Sequence, residues 1–325
     1  MAFQLIPSGT KIDFVQYRSI AQGISALLII GSIAAFFTIG LNFGIDFRGG
    51  VTVEVGPGEG EAFTRQSLTD ARSAIEKLDL GQVQVQNIST PGGEQGIVAI
   101  IEAVTGTDDD DQRQNEVATQ VQNTLREALG DTISIRRVDV VGPTVSGELV
   151  QAGVTALLVA IGLMLAYIWF RFEWQFSIGA ILALTHDVIL TIGVFTVTQL
   201  EFSLAIIAAL LTIIGYSMND TVVIYDRIRE NLRKFKKMDL KDVINLSVNQ
   251  TLGRTIMTSL TTLLAVVSLF VFGGDVLRGF SFALIWGVIV GTYSTVYIAS
   301  PLLLSTGVKR DWSENRAPDL AEARP

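Results

Sequence analysis

The chain has 325 residues, 49% of them hydrophobic and 17% charged, with a mean hydropathy of +0.45. That balance is too apolar for a water-soluble domain of this length and marks an integral membrane protein. The absence of cysteine and a single histidine, His186, exclude a disulfide framework, thiol catalysis, Cys-ligated zinc and a multi-histidine metal site. No nucleic-acid partner is expected, and the net charge of −8 is unevenly placed: residues 42–147 hold 17 Asp and Glu against 8 Lys and Arg, a net −9. An acidic soluble domain is therefore expected on a nearly neutral membrane part.

Residues 1–18 are short and polar, and an apolar run follows at 19–41. A secretory signal has an apolar core of about 7 to 15 residues, so this longer run reads as an uncleaved first spanning helix. Over 42–147 the periodicity changes. Val51, Val53 and Val55 alternate as a strand; 61–80 has helical spacing at Phe63, Leu68, Ala71, Ile75 and Leu78; Val83 and Val85 alternate again. Pro91-Gly92-Gly93 reads as a turn before a strand at 97–104. Asp108 to Asp111 place four acids at the start of a helix reaching Leu129, where the positive end of the helix dipole favours them, and 133–141 is a last strand. The order βαββαβ is the split-βαβ, ferredoxin-like arrangement, which alone says nothing of activity.

Five more apolar segments follow at 149–170, 176–197, 202–225, 255–272 and 280–304, each near the roughly 20 residues a spanning helix needs. The expected architecture is thus an α-helical polytopic membrane protein with six transmembrane helices and one α+β ferredoxin-like extracytoplasmic domain. The 148–304 region carries five of the helices, with a basic cytoplasmic loop at 226–252. Arg227, Arg229, Arg233, Lys234, Lys236, Lys237 and Lys241 in that loop, against no Lys or Arg in 198–201, place both termini in the cytoplasm. The tail at 305–325 reads as disordered.

The polar residues inside the spans carry the functional signal. Asp220 stands with Ser217, Asn219 and Thr221 at the end of an apolar run; His186-Asp187 lies midway along the third span; Arg254 opens the fifth. An ionised group there costs about 2.5 to 3.5 kcal/mol on insertion scales, so each needs a polar cavity or a partner. Asp220 reads as functional, or as an Asp reaching the nearby interface. Arg254, Thr258, Thr261 and Thr262 fall on one helix face, either a wet polar stripe or threonines bonded back to their own helix. Two Asp, one His and one Arg suit a proton relay; a static ion pair that fixes packing is the alternative, and His186 alone suits a packing role. No nucleophile–base set or metal-ligand spacing reads as catalytic, and neither an enzyme nor a cofactor is expected. Gly56, Gly58 and Gly60 lack the Lys-Ser or Lys-Thr of a phosphate loop.

Asp46-Phe47-Arg48-Gly49-Gly50 would permit an unusual backbone turn where helix gives way to strand. It also resembles the signature of the SecD and SecF protein-export subunits. Val140-Val141-Gly142-Pro143, Leu184-Thr185-His186-Asp187, Asn219-Asp220-Thr221-Val222-Val223, the run Tyr225 to Asn231 and Arg254-Thr255 extend the resemblance over most of 15–308. The resemblance implies a chain of the resistance-nodulation-division superfamily, in a bacterial inner membrane, that pairs with SecD. It further implies work beside the SecY-E-G channel, the SecA motor and YajC on exported unfolded polypeptides, amid membrane lipid. Protons would be the coupling ion, with proton-path roles for Asp220 and Arg254, and Asp187 as a further candidate. Half of a small-molecule exporter of the same superfamily and a non-conducting scaffold are the other readings.

Overall fold

The computed structural model describes residues 10–58, 62–89, 95–102 and 110–308. The expected turn at Pro91-Gly92-Gly93, Gly60, Asp108 and Asp109, the first nine residues and most of the tail lie outside these residues. After one helical turn at Val15–Tyr17 come α1 (Arg18–Thr38), α2 (Ile45–Arg48), β1 (Gly50–Gly56), α3 (Arg65–Glu76), β2 (Val83–Ser89), β3 (Gln95–Glu102), α4 (Asp110–Leu129) and β4 (Ser134–Val141). The long helices α5 (Pro143–Arg171), α6 (Trp174–Thr198), α7 (Leu204–Lys234) and α8 (Leu240–Phe272) follow. The chain closes with α9 (Gly274–Ser294), a π-helical turn (Thr295–Ala299) and α10 (Ser300–Thr306). Six of these stretches are long and apolar enough to cross a membrane: Val15–Thr38, Pro143–Arg171, Trp174–Thr198, Leu204–Lys234, Leu240–Phe272 and Leu277–Thr306.

The sheet is antiparallel in the order β2-β3-β1-β4, the ferredoxin-like order. Alternation sends Val51, Val53, Val55, Ile97, Ala99 and Ile101 to one face, where they bury against Ala71 and Ile75 of α3 and Val121 and Leu125 of α4. Thr64 caps α3 with a reciprocal capping box through Ser67. Because β1 and β4 are neighbours and Gly50 faces Val141, the strand entering from α2 and the strand leaving into α5 meet the membrane part side by side.

The turn expected at the two glycines is present. Gly49 has φ 71° and ψ 165°, a region essentially reserved for glycine, and Gly50 has φ 132°. They end α2 and aim β1 into the middle of the sheet. The residues before them are bound to the start of α7. Asp46 Oδ2 accepts the N–H of Leu204 at 2.9 Å, Phe202 N–H donates to the Asn42 carbonyl at 2.7 Å, and Gly44 N–H donates to the Phe202 carbonyl at 3.1 Å. Phe43, Phe47 and Phe202 pack as one aromatic group, and Arg48 forms an ion pair with Glu102 of β3. The signature is therefore a joint between the sheet domain and α7.

The segment 226–252, expected as a loop, differs. It is helical except for 235–239, with α7 running nine residues past Tyr225 and α8 beginning well before Thr255. Charge density suggested a loop, but Ile224, Ile228 and Leu232 on α7 and Val243, Ile244 and Val248 on α8 recur at helical spacing and bury in one cluster. Asp239 accepts the Leu240 N–H at 2.9 Å and caps α8.

Gly49→Ala should cost about 1 to 3 kcal/mol, because alanine is strained at that backbone conformation. Gly147→Ala, with nothing within 4 Å of an added Cβ, should cost nothing measurable. Thermal denaturation monitored by size-exclusion fluorescence in detergent compares them, with a lower midpoint expected only for Gly49→Ala.

Candidate functional site: a carboxylate network among α6, α7 and α9

Three helices bring the polar residues of the spans together. Asp187, halfway along α6, is buried, and its Oδ2 accepts hydrogen bonds from Ser217 Oγ of α7 at 2.6 Å and Ser294 Oγ of α9 at 2.8 Å. Its Oδ1 lies 2.9 Å from Nδ1 of His186, a bond that requires the imidazole proton on Nδ1 when the carboxylate is ionised. Asp187 thus has a donor on each oxygen and a third shared with Oδ2. The His186 ring stacks 6.1 Å from Tyr293, and its Nε2 is buried without a hydrogen-bond partner.

The close approach of α7 and α9 that this requires comes from Gly287 and Gly291, one helical turn apart on α9. A Cβ at Gly291 would stand 3.1 Å from Ser217 Cβ, and one at Gly287 would collide with Ile213. Small residues at this spacing let two backbones pack closely where lipid gives no hydrophobic drive.

Asp220 lies three residues beyond Ser217 on α7, about 4.5 Å further along the axis. It is 2% exposed, and both carboxylate oxygens are buried without a hydrogen-bond partner among the described residues. Next to it Thr221 Oγ1 bonds the Ser217 carbonyl at 3.0 Å and meets Thr295 Oγ1 at 2.9 Å. Asp187 and Asp220 are thus two buried carboxyls on adjoining helices, one fully engaged and one with four unused lone-pair directions.

The remaining sequence candidates do not join this cluster. Asn219 is exposed. Arg254 is exposed on α8 and makes no hydrogen bond or ion pair among the described residues. Thr258 bonds the Thr255 carbonyl and Thr261 the carbonyls of Met257 and Thr258, so these two threonines of the stripe are bonded back to their own helix. Thr262 is half-buried, with no bond to the carboxylates. Ser294 and Thr295 were missed by a search for charged residues. The run Thr292-Tyr293-Ser294-Thr295 inside an apolar span was the available signal. From the same run Thr292 meets Ser259 at 2.8 Å, and Tyr293 meets Ser25 at 3.0 Å.

Residues 120–309 match the model of the C-terminal region of the SecD/SecF protein export membrane proteins, and residues 34–57 match the SecD/SecF GG motif. The chain belongs to the SecD/SecF family. Protein translocase subunit SecF of Cereibacter sphaeroides is 46% identical over 95% of this chain and 94% of its own length, and that of Rhodobacter capsulatus is 46% identical over 96% and 94%. Protein translocase subunit SecDF of Brucella abortus is 44% identical over 94% of this chain, but this chain spans only 38% of it. The crystal structure of Thermus thermophilus SecDF, a translocon-associated membrane protein, superposes with a TM-score of 0.76 at 33% identity, over 91% of this chain and 39% of that one. The GG-motif match at residues 34–57 takes in the positive-φ pair Gly49-Gly50 and the joint to α7.

A hydrophobic carbodiimide, which enters from the lipid phase, takes up the carboxyl proton and is attacked at its central carbon by the carboxyl oxygen, should modify the unengaged Asp220 in preference to Asp187. Peptide mass spectrometry reads the ratio, and Ser217→Ala with Ser294→Ala should raise modification of Asp187 by freeing its Oδ2.

Proposed function

We propose that the chain is a membrane subunit of the Sec protein-export machinery which, paired with SecD, couples proton movement to late-stage translocation of unfolded polypeptides. The observation that carries the proton step is Asp220, buried with both oxygens unpartnered, one turn from the Asp187–Ser217–Ser294 network. A proton on Asp220 turns an orphan acceptor into a donor; its loss leaves a bare carboxylate that must find a donor elsewhere. Two states of one carboxyl thus favour two arrangements of α7. Asp187 is the positioning group, holding α6, α7 and α9 in register. Proton transfer down the gradient supplies about 2.3 kcal/mol per 100 mV, comparable with the cost of one ionised carboxyl in the spans.

The basic residues between Arg227 and Lys241 lie at the end of the bundle where α7 meets α8, and the acidic sheet domain emerges at the opposite end of α7, beside Leu204. By the bias of positive charge we assign the α7–α8 end and both termini to the cytoplasm, and the sheet domain to the outside. The name and length of the Brucella abortus SecDF favour SecD as the second half. An arginine left on the surface of a span favours it too: Arg254 shares the open face of α8 with Met257, Leu264 and Val271, and a second six-helix half there would shelter it. SecY-E-G, SecA and YajC are the further partners we assign.

Asp220→Asn keeps size and hydrogen-bonding capacity while removing titration. Gradient-stimulated export per assembled complex should fall to the unstimulated level, with complex yield unchanged. A loss of yield with stimulation intact would make the residue structural instead. Arg254→Lys should reduce stimulation as well, because a point charge on a flexible stem does not reproduce the planar fork.

Outside the membrane, β2 is an edge strand of the sheet among the described residues, with only its Val85 carbonyl taken by Arg72 at 2.8 Å, and it suits strand addition by an extended client. Photo-crosslinkers along Val83–Ser89 should capture an exporting chain at low and at high salt. Capture abolished by salt would point to charge instead.

A further inference from the structure

A second polar feature lies away from the carboxylates, where α5 ends against the distal part of α7. A cavity of about 580 Å³ is lined by Arg171, Asp226, Arg229, Glu230, Arg233 and Lys234. Its two acids are already engaged: Asp226 by Arg171 at 2.7 and 2.8 Å, and Glu230 by Arg227, outside the lining, at 2.9 Å. Arg229 is held in place by an NH1 bond to the Arg171 carbonyl at 3.2 Å and by its guanidinium, 5.6 Å from the Phe172 ring, while its Nε is buried without a hydrogen-bond partner. Glu173 is the further carboxylate within electrostatic reach. The lining is thus net positive, with an N–H of a fixed arginine unused.

The depth of the cavity identifies the anion. Tyr167, Trp169, Phe170 and Trp174, around Arg171 on α5 and α6, are all exposed, the pattern of an aromatic belt at the membrane–water boundary. A basic cavity between spanning helices at that level faces phosphate headgroups. Above it, an apolar groove between α5 and α6 begins at Leu165, about 9 Å up α5 from Arg171, and continues along Ile161, Ile181 and Ile189. We infer that the cavity is a binding site for the phosphate headgroup of an anionic phospholipid, with Arg229 and Lys234 as the principal contacts and Arg171 as the wall.

Native mass spectrometry of the full chain, with its six-helix partner, in neutral detergent tests this with dioleoyl phosphatidylglycerol and dioleoyl phosphatidylcholine as probes. Phosphatidylglycerol should be retained at about tenfold lower concentration than phosphatidylcholine, and Arg233→Gln with Lys234→Gln should abolish about tenfold of that affinity. Lys236→Gln with Lys237→Gln removes the same charge from exposed positions outside the lining and should change nothing. Arg229→Gln, accepted only if it elutes as the intact complex, should lose the preference as well. Equal retention of the two lipids, or an equal loss in the Lys236/Lys237 pair, would overturn the site. Displacement of phosphatidylglycerol by millimolar inorganic phosphate would overturn the lipid as its occupant.

Discussion

The membrane part depends on satisfying one buried carboxylate, Asp187, halfway along a spanning helix. Its donors sit on two other helices at 2.6 and 2.8 Å, so α6, α7 and α9 have little freedom to separate. Gly287 and Gly291 follow from that requirement, because any side chain there would push α9 off α7. The π-helical turn at Thr295–Ala299 follows directly on the donor Ser294, and its altered spacing is compensated by Ser300 Oγ, which bonds the Thr295 carbonyl at 2.8 Å. Placing Asp220 one turn from this rigid centre, without donors of its own, sets a poised group against a fixed one.

Helix α7 links the features that matter. Asp46 of the GG segment binds its first N–H, Asp220 lies about 24 Å along it, and the basic cavity around Arg229 is a further 14 Å or so away. A change at Asp220 therefore acts on the helix to which the sheet domain is fastened. The glycine pair lets the chain turn between that fastening and β1, so the domain is joined at a defined pivot beside the returning strand β4.

Much of this was readable from residues alone. Period-two valines and two amphipathic helices gave the βαββαβ order, and run length gave six spans. Asp187 and Asp220 stood out because charge inside an apolar run is expensive. Two things were not legible. Helix α7 looked as though it ended at Tyr225, since the charges beyond it masked the buried stripe of Ile228 and Leu232. The polar stripe of α8 pointed toward Arg254, whereas the hydroxyls that reach Asp187 come from α7 and α9, because serine and threonine inside a helix look alike whether they bond their own backbone or a neighbouring carboxylate. Only the helix pairing tells them apart, and the local hints of it were Gly287, Gly291 and the polar run Thr292 to Thr295.

The central claim is that Asp220 carries a proton across a site that Asp187 only shapes. Proton flux into vesicles containing the reconstituted complex, driven by an imposed potential with an internal pH dye, tests it most directly. Wild-type complex and Asp187→Asn with Ser217 and Ser294 intact should both conduct, the variant more slowly, and Asp220→Asn should be silent. Flux in Asp220→Asn equal to wild type would contradict the account.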